Sequence, residues 1–181
     1  MHYDLARLQN IIVTAAREEL LPRFTRVERE HKADGSFLTE ADLAVQKRIA
    51  AELLQRWPDT VFLGEEMTSA QQAELLSSKQ PVWCLDPLDG TSNFAAGIPY
   101  FAISLALLDK GEVVLGIVYD PLRDECFAAS KVDGASLNGK PLQVPVSGLE
   151  VNHATAQIDF QRLAPELAVR RGGGLPNVPP P

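Results

Sequence analysis

The sequence predicts an α+β fold, with two N-terminal helices packed on a largely antiparallel sheet. Three observations lead there. Apolar residues recur at helical spacing in two stretches before residue 58. Beyond it the pattern changes to short apolar runs separated by turn signals. The composition, 45% hydrophobic and 23% charged over 181 residues, is that of one globular domain.

In the first stretch Leu5, Leu8, Ile12, Ala15 and Ala16 recur at helical spacing, and Pro22 predicts an end or a kink near Leu20 or Leu21. A polar linker, Glu28 to Asp34, leads to Gly35-Ser36. Thr39 then reads as an N-cap with Asp42 three positions on. The second helix runs its apolar face through Ala41, Val45, Ile49 and Leu53, and Pro58 ends it. Val61-Phe62-Leu63 and Val82-Trp83-Cys84-Leu85 predict two buried strands, with a short helix from Gln71 to Ser77 between them.

Phe101 to Leu108 and Val113 to Tyr119 predict a hairpin across Asp109-Lys110-Gly111-Glu112. Glu125 to Ala129 continues the meander, and Asn138-Gly139 marks a further turn. Val151 to Ile158 predicts one more strand and Gln161 to Val169 a helix. Residues 170–181, rich in Gly and Pro, read as a flexible tail behind a domain of residues 1–169.

Seventeen Lys+Arg against twenty-four Asp+Glu give a net charge of −7. Such a chain lacks the unspecific attraction to a phosphate backbone, which argues against nucleic acid as a partner. It would also repel a small phosphorylated molecule unless a cation stood between them. Cys84 and Cys126 sit in apolar runs and read as buried free thiols, away from any zinc spacing. No stretch reaches the roughly 18 apolar residues of a membrane span. The start, Met1-His2-Tyr3-Asp4, lacks the marks of a signal peptide, so the expected location is cytoplasmic.

The chemistry concentrates in Asp86-Pro87-Leu88-Asp89-Gly90-Thr91-Ser92-Asn93-Phe94, at the end of an apolar strand. Pro87 and Gly90 specify a turn that can bring Asp86 and Asp89 to one side. Two ionised carboxylates that close are stable only with a cation to neutralise them. The Leu88 carbonyl lies between them, and Gly90 and Thr91 offer backbone N–H groups to a phosphate. Oxygen donors without His or Cys suit Mg²⁺. Gly64-Glu65-Glu66 ends the other short strand, at what would be the same sheet edge. Taken singly, each has an ordinary explanation: a surface turn, a solvated acidic loop, a capping acid at Asp42 and a linker charge at Lys32.

Together, Lys32…Asp34-Gly35-Ser36…Thr39…Ala41-Asp42, Gly64-Glu65-Glu66 and Trp83…Asp86-Pro87…Asp89-Gly90-Thr91…Asn93-Phe94 resemble the inositol monophosphatase family, Mg²⁺-dependent and lithium-sensitive phosphatases. Gly116 to Pro121 matches the strand that follows, and the resemblance runs from Tyr3 to about Val169. It implies a layered fold of the sugar-phosphatase type and a multi-metal phosphomonoesterase site. Glu65, Asp86 and the Leu88 carbonyl are the implied ligands of a first Mg²⁺, and Asp86 and Asp89 of a second. Glu66 is implied to support a further, weakly held ion. Thr91, paired with Asp42, is implied to orient the attacking water, with Glu65 helping to deprotonate it. The implied substrate contacts are Gly90 and Thr91, whose amides hold the phosphate, with Lys32, Glu65, Leu88 and Asp89.

The family's C-terminal α/β layer carries a W-D-x-A-A-G motif that this sequence lacks. Trp57 precedes Pro58 and Trp83 precedes Cys84. Two functions are therefore expected from different classes. One is Mg²⁺-dependent hydrolysis of a phosphate monoester, with inositol monophosphate first and a 3′-phosphoadenosine nucleotide, histidinol phosphate or fructose bisphosphate as alternatives. The other is a non-catalytic remnant or metal-binding module. Apolar strands without their covering layer, such as Val113 to Val118, predict a homodimer or other self-association.

Overall fold

The computed structural model describes residues 3–24, 29–31, 37–64 and 67–143, with 29–31 and 37–39 described through the backbone alone. Helix α1 covers Leu5–Ala15, and the Asp4 carboxylate caps it by accepting from the Arg7 N–H at 3.1 Å. Its buried face is Leu8, Ile11, Ile12 and Ala15. Pro22 has no N–H to give, so the α-helical ladder cannot pass through it. The chain instead widens into a π-helical turn over Ala16–Leu20 and closes with a 3-10 turn over Leu21–Arg23. Arg48, on the next helix, ties that turn down through Glu18 at 2.7 Å and Glu19 at 3.4 Å.

The linker expected over Glu28 to Asp34 is corrected by the structure. Residues Arg29–His31 form strand β1, paired antiparallel with β2, Phe37–Thr39. Arg-Glu-His has no apolar alternation to announce a strand, and the partner strand supplies the pairing. Helix α2 follows at once, Glu40–Arg56, and buries the expected stripe of Ala41, Val45, Ile49 and Leu53.

Among the described residues the main sheet has seven strands in chain order: β3 Val61–Leu63, β4 Val82–Asp89, β5 Ala102–Asp109, β6 Glu112–Asp120, β7 Glu125–Ser130, β8 Gly134–Leu137 and β9 Lys140–Pro141. Every neighbouring pair is antiparallel except β3 and β4, which run parallel. A parallel pair needs a crossover. Helix α3, Ser69–Leu76, lies within it, started by a capping box between Thr68 and Gln71.

Lys110-Gly111 and Asn138-Gly139 both have positive φ, as two-residue hairpin turns between twisted strands require. The second of these turns joins β8 to β9, strands too short to read from sequence. Strand β3, at the edge of the sheet among the described residues, is half-buried rather than buried as expected.

One face of the sheet makes the core. Trp83, Leu85, Ile103, Leu105, Leu107, Leu115, Ile117 and Tyr119 are all buried there. Helix α1 packs on β6 and β7, and α2 on β3 and β4. Trp57 and Trp83 meet at 5.5 Å between ring centres, with Tyr3 against both. Trp83 Nε1 donates to Thr60 Oγ1 at 3.0 Å, which satisfies the buried indole. On the opposite face Val118 and Phe127 stand directly across from each other, 44% and 41% exposed.

Cys126 is a buried free thiol as expected, whereas Cys84 is only half-buried because it points to that second face. Among the described residues no helix is long and apolar enough to cross a membrane. The strand expected over Val151 to Ile158, the helix over Gln161 to Val169 and the tail over 170–181 lie outside the described residues.

Candidate active site

The parallel pairing sets Leu63 beside Cys84, so β3 and β4 release their chains at the same end of the sheet. Ligand sites in open sheets collect at such carboxyl ends. Beyond Cys84, strand β4 has no partner on the β3 side among the described residues, and Pro87, which cannot donate to a ladder, sits in that stretch.

A β-bulge then decides where the acids point. Asp86 pairs with Ser104 and Asp89 with Ala102, so three steps along β4 match two along β5. In a regular strand, residues three apart face opposite ways. Here the extra residue returns Asp89 to the face that Asp86 occupies, since Ser104 and Ala102 share a face of β5. Asp86 is half-buried and Asp89 exposed. The Asp86 carboxylate also accepts from the Leu88 N–H at 3.1 Å, which stiffens the turn between them.

Gly90 ends the strand with φ of 91° and serves as N-cap of the short helix α4, Thr91–Ala95. A Cβ at position 90 would also come within 2.9 Å of the Tyr100 carbonyl oxygen. Both the left-handed conformation and the close approach call for glycine. Thr91 Oγ1 donates to the Leu88 carbonyl at 2.8 Å, and Asn93 Nδ2 donates to the Tyr100 carbonyl at 2.9 Å. Phe94, Phe101 and Phe24 pack behind the turn with centroids 4.9 to 5.2 Å apart. The Asp86 to Thr91 backbone is thereby fixed from beneath by aromatic packing and from the side by two side-chain hydrogen bonds. Asn93 is a residue to which the sequence assigned no role. Its place just after a glycine-led turn is the signal that could have revealed it.

Asp42 lies in the first turn of α2 and is 1% exposed. Helix α2 packs on β4, and α4 touches β2, the strand that leads directly into α2. The start of α2 therefore lies at the same end of the sheet as the turn. An acid there is favoured by the helix dipole. Gly64, the residue after β3, completes the described part of this end. Glu65, Glu66 and Lys32 lie outside the described residues.

The described side chains offer oxygen donors only: the Asp86 and Asp89 carboxylates on one face and the Leu88 carbonyl, which keeps a second lone pair after accepting from Thr91. Among the described residues no three His, Cys, Asp or Glu side chains gather closely enough to hold an ion alone. A hard divalent cation fits this donor chemistry. Thiol chemistry does not fit. Burial pushes Cys84 above its ordinary range and Cys126 up to about 11, which leaves both protonated.

The model of the inositol monophosphatase family matches residues 3–170. The chain is 41% identical over 115 residues to inositol monophosphatase 2 of Solanum lycopersicum, covering 64% of this chain and 43% of that protein. It is 37% identical over 141 residues to Nus factor SuhB of Xylella fastidiosa, covering 75% of this chain and 49% of that one. Among solved structures, an IMPase/NADP phosphatase complexed with Mg²⁺ and phosphate superposes with a TM-score of 0.65 at 25% identity, covering 79% of this chain and 55% of that one. The chain spans about half the length of these relatives.

Proposed function

Because this chain belongs to the inositol monophosphatase family, we propose that it hydrolyses a small phosphate monoester, inositol monophosphate first, with Mg²⁺ as cofactor and Li⁺ as inhibitor. One observation carries the reading: the bulge in β4 sets Asp86 and Asp89 on one face, directly before a glycine turn. Two like charges so placed favour a cation between them. The likeness to a solved phosphatase holding Mg²⁺ and phosphate supports the same choice.

Asp86, Asp89, the Leu88 carbonyl and Glu65 would hold Mg²⁺, with Glu66 supporting a weaker site. Bound there, Mg²⁺ supplies a lowered water pKa, charge neutralisation of the phosphate and stabilisation of the leaving oxygen. The chain's own groups do the rest. The Gly90 and Thr91 amides, fixed by the turn, seat the phosphate, and Lys32 adds a positive charge. Thr91 Oγ1 has committed its proton to the Leu88 carbonyl. It therefore acts on the attacking water as an acceptor and, with Asp42, orients it, and Glu65 helps to draw off the proton.

A second reading, a binding module without turnover, is supported by the likeness to a Nus factor. Phosphate release from a panel of phosphomonoesters, with Mg²⁺ and with EDTA, separates the two. Mg²⁺-dependent release supports hydrolysis, and Mg²⁺ binding without release supports the second reading.

A further inference from the structure

The connection from β4 to β5 leaves the sheet at Asp89 and returns at Ala102, which pairs with Asp89. Residues 90–101 are thus an excursion with both ends beside a candidate metal ligand. Helix α4 within it has five residues, too few to hold its shape by its own hydrogen bonds. A Schellman turn closes its end. Gly97, with φ of 73°, donates to the Phe94 carbonyl at 3.1 Å, and Ile98 donates to the Asn93 carbonyl at 2.8 Å. That turn sends the chain back along the helix and brings Tyr100 beside Gly90. A Cβ at 90 would stand 2.9 Å from the Tyr100 carbonyl oxygen and 3.2 Å from the Phe101 Cα. Both are backbone atoms, with no side-chain freedom to give way. Asn93 grips this returning chain twice: its carbonyl accepts from Ile98, and its Nδ2 donates to the Tyr100 carbonyl at 2.9 Å.

We infer that Asn93 is a positioning residue: by pinning the Tyr100 carbonyl against Gly90, it fixes the left-handed turn that sets Asp89, at the end of β4, relative to Thr91, at the start of α4. The inference rests on the proposed metal site and deepens it. Asp89 and Thr91 flank Gly90, so the dihedrals at Gly90 decide how a metal-holding carboxylate is turned toward a water-orienting hydroxyl. Glycine alone leaves those dihedrals wide freedom. The bond from Thr91 Oγ1 to the Leu88 carbonyl restrains the turn from the strand side. Asn93 supplies the matching restraint from the returning chain.

Groups that hold metal ligands in place from outside contribute about 10- to 100-fold to metal affinity or activity. The test measures the Mg²⁺ midpoint by melting temperature, together with kcat on inositol monophosphate, in the full chain and its variants. Asn93→Leu keeps the size and removes the donor. It is expected to weaken Mg²⁺ about 10-fold and to lower kcat by a similar factor. Asn93→Ala replaces it where the leucine chain does not fold. Asn93→His places an N–H at the same distance from the backbone and is expected to recover most of both losses. Thr60→Val takes the acceptor from the Trp83 indole at the opposite end of β3, so it lowers stability without touching this turn. Its Mg²⁺ midpoint is expected to match the parent's.

A lower melting temperature without metal in Asn93→Leu, with the parent's Mg²⁺ midpoint and kcat per folded molecule, is the mark of a structural role and overturns the inference. So does an Asn93→His chain no better than Asn93→Leu. A parent chain indifferent to Mg²⁺ overturns the metal reading itself, and this inference with it. A responsive parent whose Asn93 variants respond as it does leaves the metal reading standing and removes only Asn93.

Discussion

Thr91 Oγ1 donates its proton to the Leu88 carbonyl at 2.8 Å, across the glycine that turns strand β4 into helix α4. One side chain thus closes the turn and presents two lone pairs outward. Thr91→Ser keeps the hydroxyl and is expected to retain activity. Thr91→Val loses the bond, at a cost of about 1 kcal/mol in stability, and is expected to lose roughly 10²-fold or more in kcat. Urea unfolding and steady-state kinetics check the pair. Equal kcat for Val and Ser would remove Thr91 from the chemistry.

Asp42 tests whether a buried acid at a helix start is there for the helix or for the reaction. A lost capping or dipole interaction costs about 0.5–2 kcal/mol. Asp42→Asn is expected to stay near the low end of that range and to reduce kcat far more than it changes the melting temperature. Stability loss with unchanged rate per folded molecule would return Asp42 to a structural role.

Alkaline stability depends on Tyr119. Burial, then the hydrogen bond and charge of Asp124, push its phenol up to about 12, with Arg17 opposing. The hydroxyl donates to Asp124 at 2.7 Å, and Arg17 grips the same carboxylate at 3.0 Å. A folded pKa above the unfolded value of 10.0 gives stability that is full below pH 10 and is lost as pH rises through about 12. The amount is roughly 2–3 kcal/mol at 1.36 kcal/mol per unit. Urea midpoints measured from pH 9 to 12 are expected to fall steeply in the parent and less steeply in Tyr119→Phe. Asp124, held below its ordinary range by Tyr119 and Arg17, adds stability that is lost as pH falls toward acid. Parallel curves for parent and Tyr119→Phe would contradict the assignment.

The second face of the sheet carries the expectation of self-association. Val118 and Phe127 face each other there, both more than a third exposed, and Val113 is 56% exposed on the same strand as Val118. Apolar pairs on an open sheet favour association. Sedimentation velocity is expected to show concentration-dependent species, and Val118→Lys with Phe127→Lys to shift them toward monomer. A monomer at all concentrations in the parent would contradict this.

The sequence made α2 and the Asp86 to Thr91 turn legible because each is specified locally. The helix is written in Ala41, Val45, Ile49 and Leu53, and the turn in Pro87 and Gly90, whose backbone limits act on their own positions. The bulge that aligns Asp86 with Asp89 was legible only as a turn, since it exists only in the pairing with β5. Strand β1 was not legible, because Arg29, Glu30 and His31 pair with β2 without any apolar pattern of their own.

The central claim is that Asp86 and Asp89 share a cation that the reaction uses. Asp86→Asn tests it most directly, since Asn keeps the oxygen that accepts from the Leu88 N–H while removing the charge. The measurement is melting temperature across millimolar Mg²⁺, with phosphate release followed in the same samples. The parent is expected to gain melting temperature with Mg²⁺, as any ligand bound only by the native state confers, and to release phosphate only when Mg²⁺ is present. Asp86→Asn is expected to show neither effect while matching or exceeding the parent's metal-free stability, because like-charge crowding is relieved. A parent whose melting temperature does not respond to Mg²⁺, or an Asp86→Asn chain that responds as the parent does, would contradict the claim.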